Sequence, residues 1–505
     1  MKQRITFLFI VLGILGSSFA QSTVLATNTF WESNPDLKAV KAEVKKGFDF
    51  ANMGISDDPI MLAIRNEADL NIITYLLEQP GVDIDKLVFE GRHYLHIAAN
   101  DGNDQLVDYL LENGSDIDFL DANGHTAFTF AGFQGHLTKD MIDAFIKHGI
   151  DLNKKYPEKD GANILLISIP YDKDLTITDY LVSKGVSINS VDDDGNTAFN
   201  HAAKIGSVPM MKTLLERGVT YTDEALLIAS QGTYRSANDI EVYYYLVDDL
   251  GVSPTLTSEE GQNVLHAIAK KNDQDEVINY FLSKGVDVNQ QDEDGNTPFL
   301  NAAGGRSFKA VELMFSYLAE GVVNATNAQG QTALMLAAGS NAPEAVSFLI
   351  ENGAEVALKD KRGNDAGFYL IDSYRAPRRG RGPTTESNAQ NPVEAKLKTL
   401  LAAGYAINTL QEANTSLLHL AAEKNELTLV KPLVDNGIDL NVVNDNGNTA
   451  LHIAAMKAEN EKILALLVKA GADTSIETQF GETAYDLAGE NEAISGKAEK
   501  LSFLK

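Results

Sequence analysis

At 505 residues the chain exceeds what one compact hydrophobic core sustains. It contains no cysteine, which excludes disulfides, thiol nucleophiles and cysteine metal sites. A formal net charge of −29 argues against nucleic acid and anionic membranes as partners, because both select basic surfaces.

Residues 1–20 read as a secretory signal peptide. Lys2 and Arg4 form a charged start, 5–16 is an apolar run, and Ser18 and Ala20 are small residues at the cleavage-determining positions. The run is shorter than the roughly 20 residues of a membrane span. The expectation is cleavage after Ala20, a periplasmic or secreted protein, and no membrane insertion afterwards. Residues 21–55 read as a half repeat and cap. A lone helix over 36–46 is closed by Gly47, and Trp31, the only tryptophan, covers the first core.

From there two short apolar segments alternate, and neither is long enough to be stable alone. A glycine closes each second segment, recurring at Gly47, Gly81, Gly114, Gly149, Gly185, Gly218, Gly251, Gly285, Gly321, Gly353, Gly404, Gly437 and Gly471. Successive spacings lie between 32 and 36 residues, with one outlier of 51. The position fits a left-handed helix cap, which a side chain would strain. First helices are expected to start at or near Ile60, Tyr94, Ala127, Ile164, Ala198, Ala225, Val264, Pro298, Ala333, Ala366, Leu417, Ala450 and Ala484. Second helices are expected before each glycine, for example over 104–112, 210–216, 344–351 and 427–435.

The repeated phase is legible in 446–455, Asn-Gly-Asn-Thr-Ala-Leu-His-Ile-Ala-Ala, and in 463–473, which ends Leu-Leu-Val-Lys-Ala-Gly-Ala-Asp. It resembles the ankyrin repeat, whose signature is Gly-x-Thr-Pro-Leu-His-x-Ala-Ala followed by Leu-Leu-x-x-Gly-Ala. The resemblance covers nearly all of the chain after the leader. It implies an all-α solenoid of about 13 helix-turn-helix repeats with projecting hairpin fingers. With the leader-like 1–20, the expectation is an exported, bacterial member of that family.

The array is divided as 56–373 and 393–505, the latter including a C-terminal cap whose polar 496–505 closes the stack. Between them 374–392 is a basic, Pro/Gly-rich insertion with Arg375, Arg378, Arg379 and Arg381. Its phase places it between the two helices of one repeat, at the edge opposite the fingers. Smaller departures are a lengthened finger at 152–160, a shortened one at 219–224 and a lengthened inter-helix turn at 231–238. The irregular repeat between Gly218 and Gly261 is the expected break if the array has two parts.

His96, His266, His419 and His452 share one phase of the repeat, or lie within one residue of it. The resemblance implies that they hold the fingers by hydrogen bonding. None has the spacing of a helical metal site. The acidic turns at Asp192, Asp193, Asp194 and at Asp292, Glu293, Asp294 lack the first and twelfth ligands of a calcium loop and read as hairpin turns. No phosphate loop, nucleophile elbow or zinc-protease motif is present, and no residue set is assigned as catalytic, cofactor-binding or metal-ligating.

The reading is a non-catalytic protein-binding scaffold of the cell envelope, with no cofactor. It recognises a partner through its concave face and acidic fingers, with Asp192, Asp193, Asp194, Asp292, Glu293 and Asp294 as candidate partner-binding residues. A basic protein is the partner this charge would select, and solubility is the alternative use of the charge. An enzyme accessory or stress-defence factor of the periplasm, and a secreted effector or immunity factor, are the other readings.

Overall fold

The computed structural model describes residues 24–55, 58–233, 236–375 and 392–505. The expected leader at 1–20 and Arg378, Arg379 and Arg381 lie outside the described residues. The described chain is helical. Its extended structure among those residues consists of isolated bridges within fingers, such as Tyr156 with Ala162 and Val191 with Thr197.

Among the described residues thirteen first helices occur, from Pro59–Arg65 to Ala484–Glu490. Twelve start at the residue the sequence marked, and the first starts one residue earlier, at Pro59. All thirteen repeat glycines have positive φ, from 77° at Gly251 to 104° at Gly471. Each first helix opens on a short polar side chain where the sequence supplies one. Thr126, Thr297, Thr332, Ser416 and Thr449 each accept a hydrogen bond from a first-turn backbone N–H. Such a cap contributes about 1 kcal/mol.

The small residues after the cap let neighbouring first helices approach closely. Ala98, Ala99, Ala302, Ala303, Ala421 and Ala422 are all fully buried. Second helices bring the larger apolar groups, each stabilising by roughly 1.5–3 kcal/mol when fully buried.

The chain forms two compact units. The first comprises 1–201 and 213–220, of which residues from 24 onward are described. Its start is sealed by Trp31, which is buried and donates from Nε1 to the Leu25 carbonyl at 2.8 Å. Helix Leu37–Val44 is the expected half repeat, capped by the Asp36 side chain. Phe128 and Phe145 stack in its interior, centroids 4.7 Å apart.

The second unit comprises 202–212 and 221–505. The division therefore starts within the repeat of Ala198–Ala203 and Val208–Glu216 and ends at the shortened finger, just inside the interval from Gly218 to Gly261 that the sequence suggested. In the irregular repeat that follows, helix Ile240–Tyr244 runs into a π-turn, Tyr245–Asp249. This buries Tyr243 and Tyr245 and leaves Tyr244 exposed. Helices Ala366–Asp372 and Pro392–Ala402 flank the long insertion, which thus falls between the two helices of one repeat. The C-terminal cap differs from expectation. A 3-10 helix, Ser495–Leu504, closes the last repeat by burying Leu501 and Leu504, so apolar contact and not polarity seals that end.

Candidate partner-binding surface

Several fingers are each built around one side chain. The Oδ1 of Asp192 accepts from the backbone N–H of Asp194 at 3.1 Å and of Asn196 at 2.7 Å. Asp292 does the same with Asp294 at 3.1 Å and Asn296 at 2.7 Å. Asp121, Asn327, Asp360 and Asn444 repeat the pattern in their own fingers. The short Asp or Asn side chain satisfies backbone donors that a turn would otherwise leave unpaired.

Backbone bonds then stitch each tip to the next. In the first unit Ala122 N–H donates to Glu90 O at 2.9 Å and Asp193 N–H to Asp160 O at 2.8 Å. In the second, Glu293 donates to Glu260 at 3.0 Å, Ala328 to Asp294 at 2.8 Å, Lys361 to Gln329 at 2.9 Å and Asp445 to Ala413 at 3.1 Å.

This geometry separates the six expected partner-binding residues. Asp192 is 5 % exposed and Asp292 half-buried. Burial opposes the charge on Asp192, but bonds from His201, at 3.0 Å, and from Asn196 hold its carboxyl below the usual range. Both residues are turn nuclei, turned inward by the backbone they serve. Asp193, Asp194, Glu293 and Asp294 are exposed. Asp193 is paired with Lys155 at 2.7 Å. Glu293 and Asp294 form no ion pair among the described residues.

The fingers also present apolar groups that charge patterning did not reveal. Leu120, Val191 and Val443 immediately precede the turn residues Asp121, Asp192 and Asn444 and are exposed. Phe480, in the last finger, is 88 % exposed. Their signal in the sequence was an apolar residue in front of the turn aspartate or asparagine, which alone does not tell an inward from an outward side chain.

The phased histidines hold the fingers. Nδ1 of His266, His419 and His452 accepts from the N-cap backbone N–H at 3.0, 3.2 and 3.0 Å. Nε2 of each donates to a carbonyl of the following connection: Asn296 at 3.2 Å, Asn448 at 2.9 Å and Ile476 at 3.0 Å. This arrangement needs the neutral ring, and burial depresses all three pKa values.

His96 reaches the His125 carbonyl at 2.9 Å, but its Nδ1 is unpartnered, and its N-cap residue, His93, makes no side-chain cap bond. His93, His96 and His125 form a buried group that the sequence did not single out, with the His93 and His96 rings 4.6 Å apart. Burial pushes His93 and His125 down to about 4.

Among the described residues one mixed group could face a metal ion: Asp108, Glu112 and His148. Lys147 already binds it, with Nζ 2.9 Å from Asp108 and 2.5 Å from Glu112. The pairing is one instance of a recurring tie between successive second helices. Lys184 meets Asp143 at 2.6 Å and Lys284 meets Asp248 at 2.7 Å, and Arg217 pairs with Asp179. The arrangement is that of an inter-repeat ion pair. No described helix is long and apolar enough to cross a membrane.

Paired helices, left-handed glycine caps and stitched hairpin fingers define a helical-repeat scaffold. Family models for ankyrin repeats match residues 60–156, 226–319, 265–360 and 389–478, and a second such model matches 165–215. The chain belongs to the ankyrin repeat family.

Among curated proteins it is 24% identical over 301 residues to the E3 ubiquitin-protein ligase KEG of Arabidopsis thaliana, covering 57% of this chain and 18% of that protein. It is 26% identical over 244 residues to the ankyrin repeat protein nuc-2 of Neurospora crassa, covering 48% and 19%. It is 24% identical over 412 residues to the ankyrin repeat domain-containing protein SAT10 of Stachybotrys chartarum, covering 78% and 20%. The chain thus spans about a fifth of the length of these relatives. They are eukaryotic, so they lend no support to the bacterial origin expected from the sequence.

Proposed function

We propose that the chain is a non-catalytic, protein-binding scaffold exported to the cell envelope, and that it captures a basic partner on its fingers and first helices. The observation that carries this is the second unit's finger edge. There Glu293 and Asp294 are exposed and unpaired among the described residues, on tips fixed by backbone bonds. A rigid tip loses little freedom on binding. Exposed apolar groups such as Val443 and Phe480 supply area that charge alone lacks. Family membership supports protein recognition. The leader-like 1–20 supports export.

The test is capture of a partner from envelope extract by the full chain, followed by binding kinetics with Glu293→Gln and Asp294→Asn together. The variant should associate more slowly while dissociating at the parental rate. The effect should fade with salt as the Debye length falls from about 10 Å at 0.1 M to about 3 Å at 1 M. An on-rate indifferent to both charge and salt would defeat the electrostatic part. For export, the secreted protein should begin at Gln21. A chain that retains Met1 in the membrane fraction would refute it.

A further inference from the structure

The edge opposite the fingers holds a cleft in the second unit whose charge is inverted relative to the rest of the chain. The sequence carries 71 acidic against 42 basic residues. Yet the cleft, about 670 Å³ in volume, brings together Lys270, Lys271 and Arg306 against Asp239 and Asp273. Among the described residues none of the three cations forms an ion pair. Lys270 and Arg306 are exposed, whereas Lys271 is half-buried with its amine on the Gln231 carbonyl.

One wall is bare backbone. A Cβ at Gly305 would stand 3.0 Å from the Ala269 carbonyl oxygen, so a side chain there would crowd that backbone. Gln274 also lines the cleft, where it precedes helix Asp275–Ser283. It is 7 % exposed, its side chain makes no cap bond to that helix, and its Oε1 is buried without a hydrogen-bond partner. A buried amide oxygen left unpaired is costly, and an N–H or O–H donor from a ligand would relieve it. The volume is that of small-molecule sites, roughly 300–1,000 Å³.

We propose that this cleft binds a small phosphorylated metabolite. Its oxyanion oxygens meet Lys270, Lys271 and Arg306, and a hydroxyl or amine donor reaches the Gln274 amide. The shared chemistry, oxyanions on unpaired cations, would also suit an acidic peptide. The volume of the cleft and the unpaired Gln274 acceptor favour the small molecule. The site lies on the edge away from the fingers and is independent of the partner proposed for them.

The test is isothermal titration calorimetry of the full chain at low salt with inorganic pyrophosphate, with glucose 6-phosphate and with an octamer of glutamate. Saturable binding of either phosphate is expected, weakened roughly tenfold or more by Arg306→Glu or Lys270→Glu. Both substitutions replace exposed side chains, and unchanged helical circular dichroism with an unchanged melting temperature would show that the fold persists. Glucose 6-phosphate binding more tightly than its charge relative to pyrophosphate warrants would support the donor contact at Gln274. The proposal is overturned if neither phosphate binds saturably, if the two variants bind like the parent, or if the glutamate octamer binds and both phosphates do not.

Discussion

The two long edges of each repeat are held by different means. At the finger edge backbone bonds to backbone, and an Asp or Asn at a fixed place closes the turns at Asp121, Asp192, Asp292, Asn327, Asp360 and Asn444. At the opposite edge the ends of the first helices are closed by side chains. Asn341 donates to the carbonyls of Ala302 and Ala303 at 3.0 and 3.3 Å, and Asn491 does the same for Ala455 and Met456 at 2.9 and 3.2 Å. Where the long insertion displaces that position, Lys396 reaches in instead, donating to Ala337 at 3.3 Å and Ala338 at 2.9 Å. A backbone-to-backbone seam tolerates little change in length, because a shift breaks its register. A seam made by side chains can be remade by a longer one, and the longest departure from the period falls there.

The contrast can be broken from either side. The largest effect expected is acid. The folded state holds His93 and His125 near 4, and the unfolded chain binds their protons near 6.5. The unfolded state therefore gains protons first as pH falls. The stability these groups support is fully present above about 6.5 and is lost progressively towards about 4. The loss should reach several kcal/mol in sum, since each tenfold difference in proton affinity between the two states is worth roughly 1.4 kcal/mol. The urea midpoint of the parent should drop across that window. A flat profile would mean that the rings are already charged in the fold.

Next, Asp192→Ala strands two backbone N–H groups and should cost about 2–3 kcal/mol, read as a lower melting temperature. Lys396→Ala, on the other edge, should cost about 1–2 kcal/mol by removing the donor shared by the Ala337 and Ala338 carbonyls, of which Ala337 keeps the Asn341 N–H. Burial lowers the Lys396 ammonium to about 8, so at pH 7 it is still a full donor. If both substitutions cost the same, the two seams are equivalent after all.

Gly437→Val should cost about 1 kcal/mol. Its φ is 78° and nothing lies within 4 Å of the new Cβ, so the loss is pure backbone strain. The smallest effect is expected from deleting 378–385, because changing the length of a connection between two helices costs a few tenths of a kcal/mol.

Most of the fold was legible because each repeat states it again. A Thr or Ser before the first helix, paired alanines within it and a glycine after the second fix helix starts to within a residue. The site was less legible. Asp192 and Asp193 look alike in sequence, yet one is the hub of the turn and the other faces water. Only the hydrogen-bond direction separates them. The acceptor role does recur, as Asp or Asn four residues before the final turn residue, and that period could have marked Asp192 and Asp292 as structural. His93 escaped notice because it stands where other repeats have Ser, Thr or Asn. The inverted cleft draws on three successive repeats, and no local window contains it.

The finger seam also bears on how such a chain can grow. Every tip bond joins residues about one period apart, such as Asp294 with Ala328 and Gln329 with Lys361. A duplicated stretch of one full period, wherever it is copied, meets a waiting donor on one side and a waiting acceptor on the other. A duplication of any other length leaves both ends without partners. Whole repeats are therefore the unit of growth that keeps the finger seam continuous, and the departures at 152–160 and 219–224 are changes within single fingers.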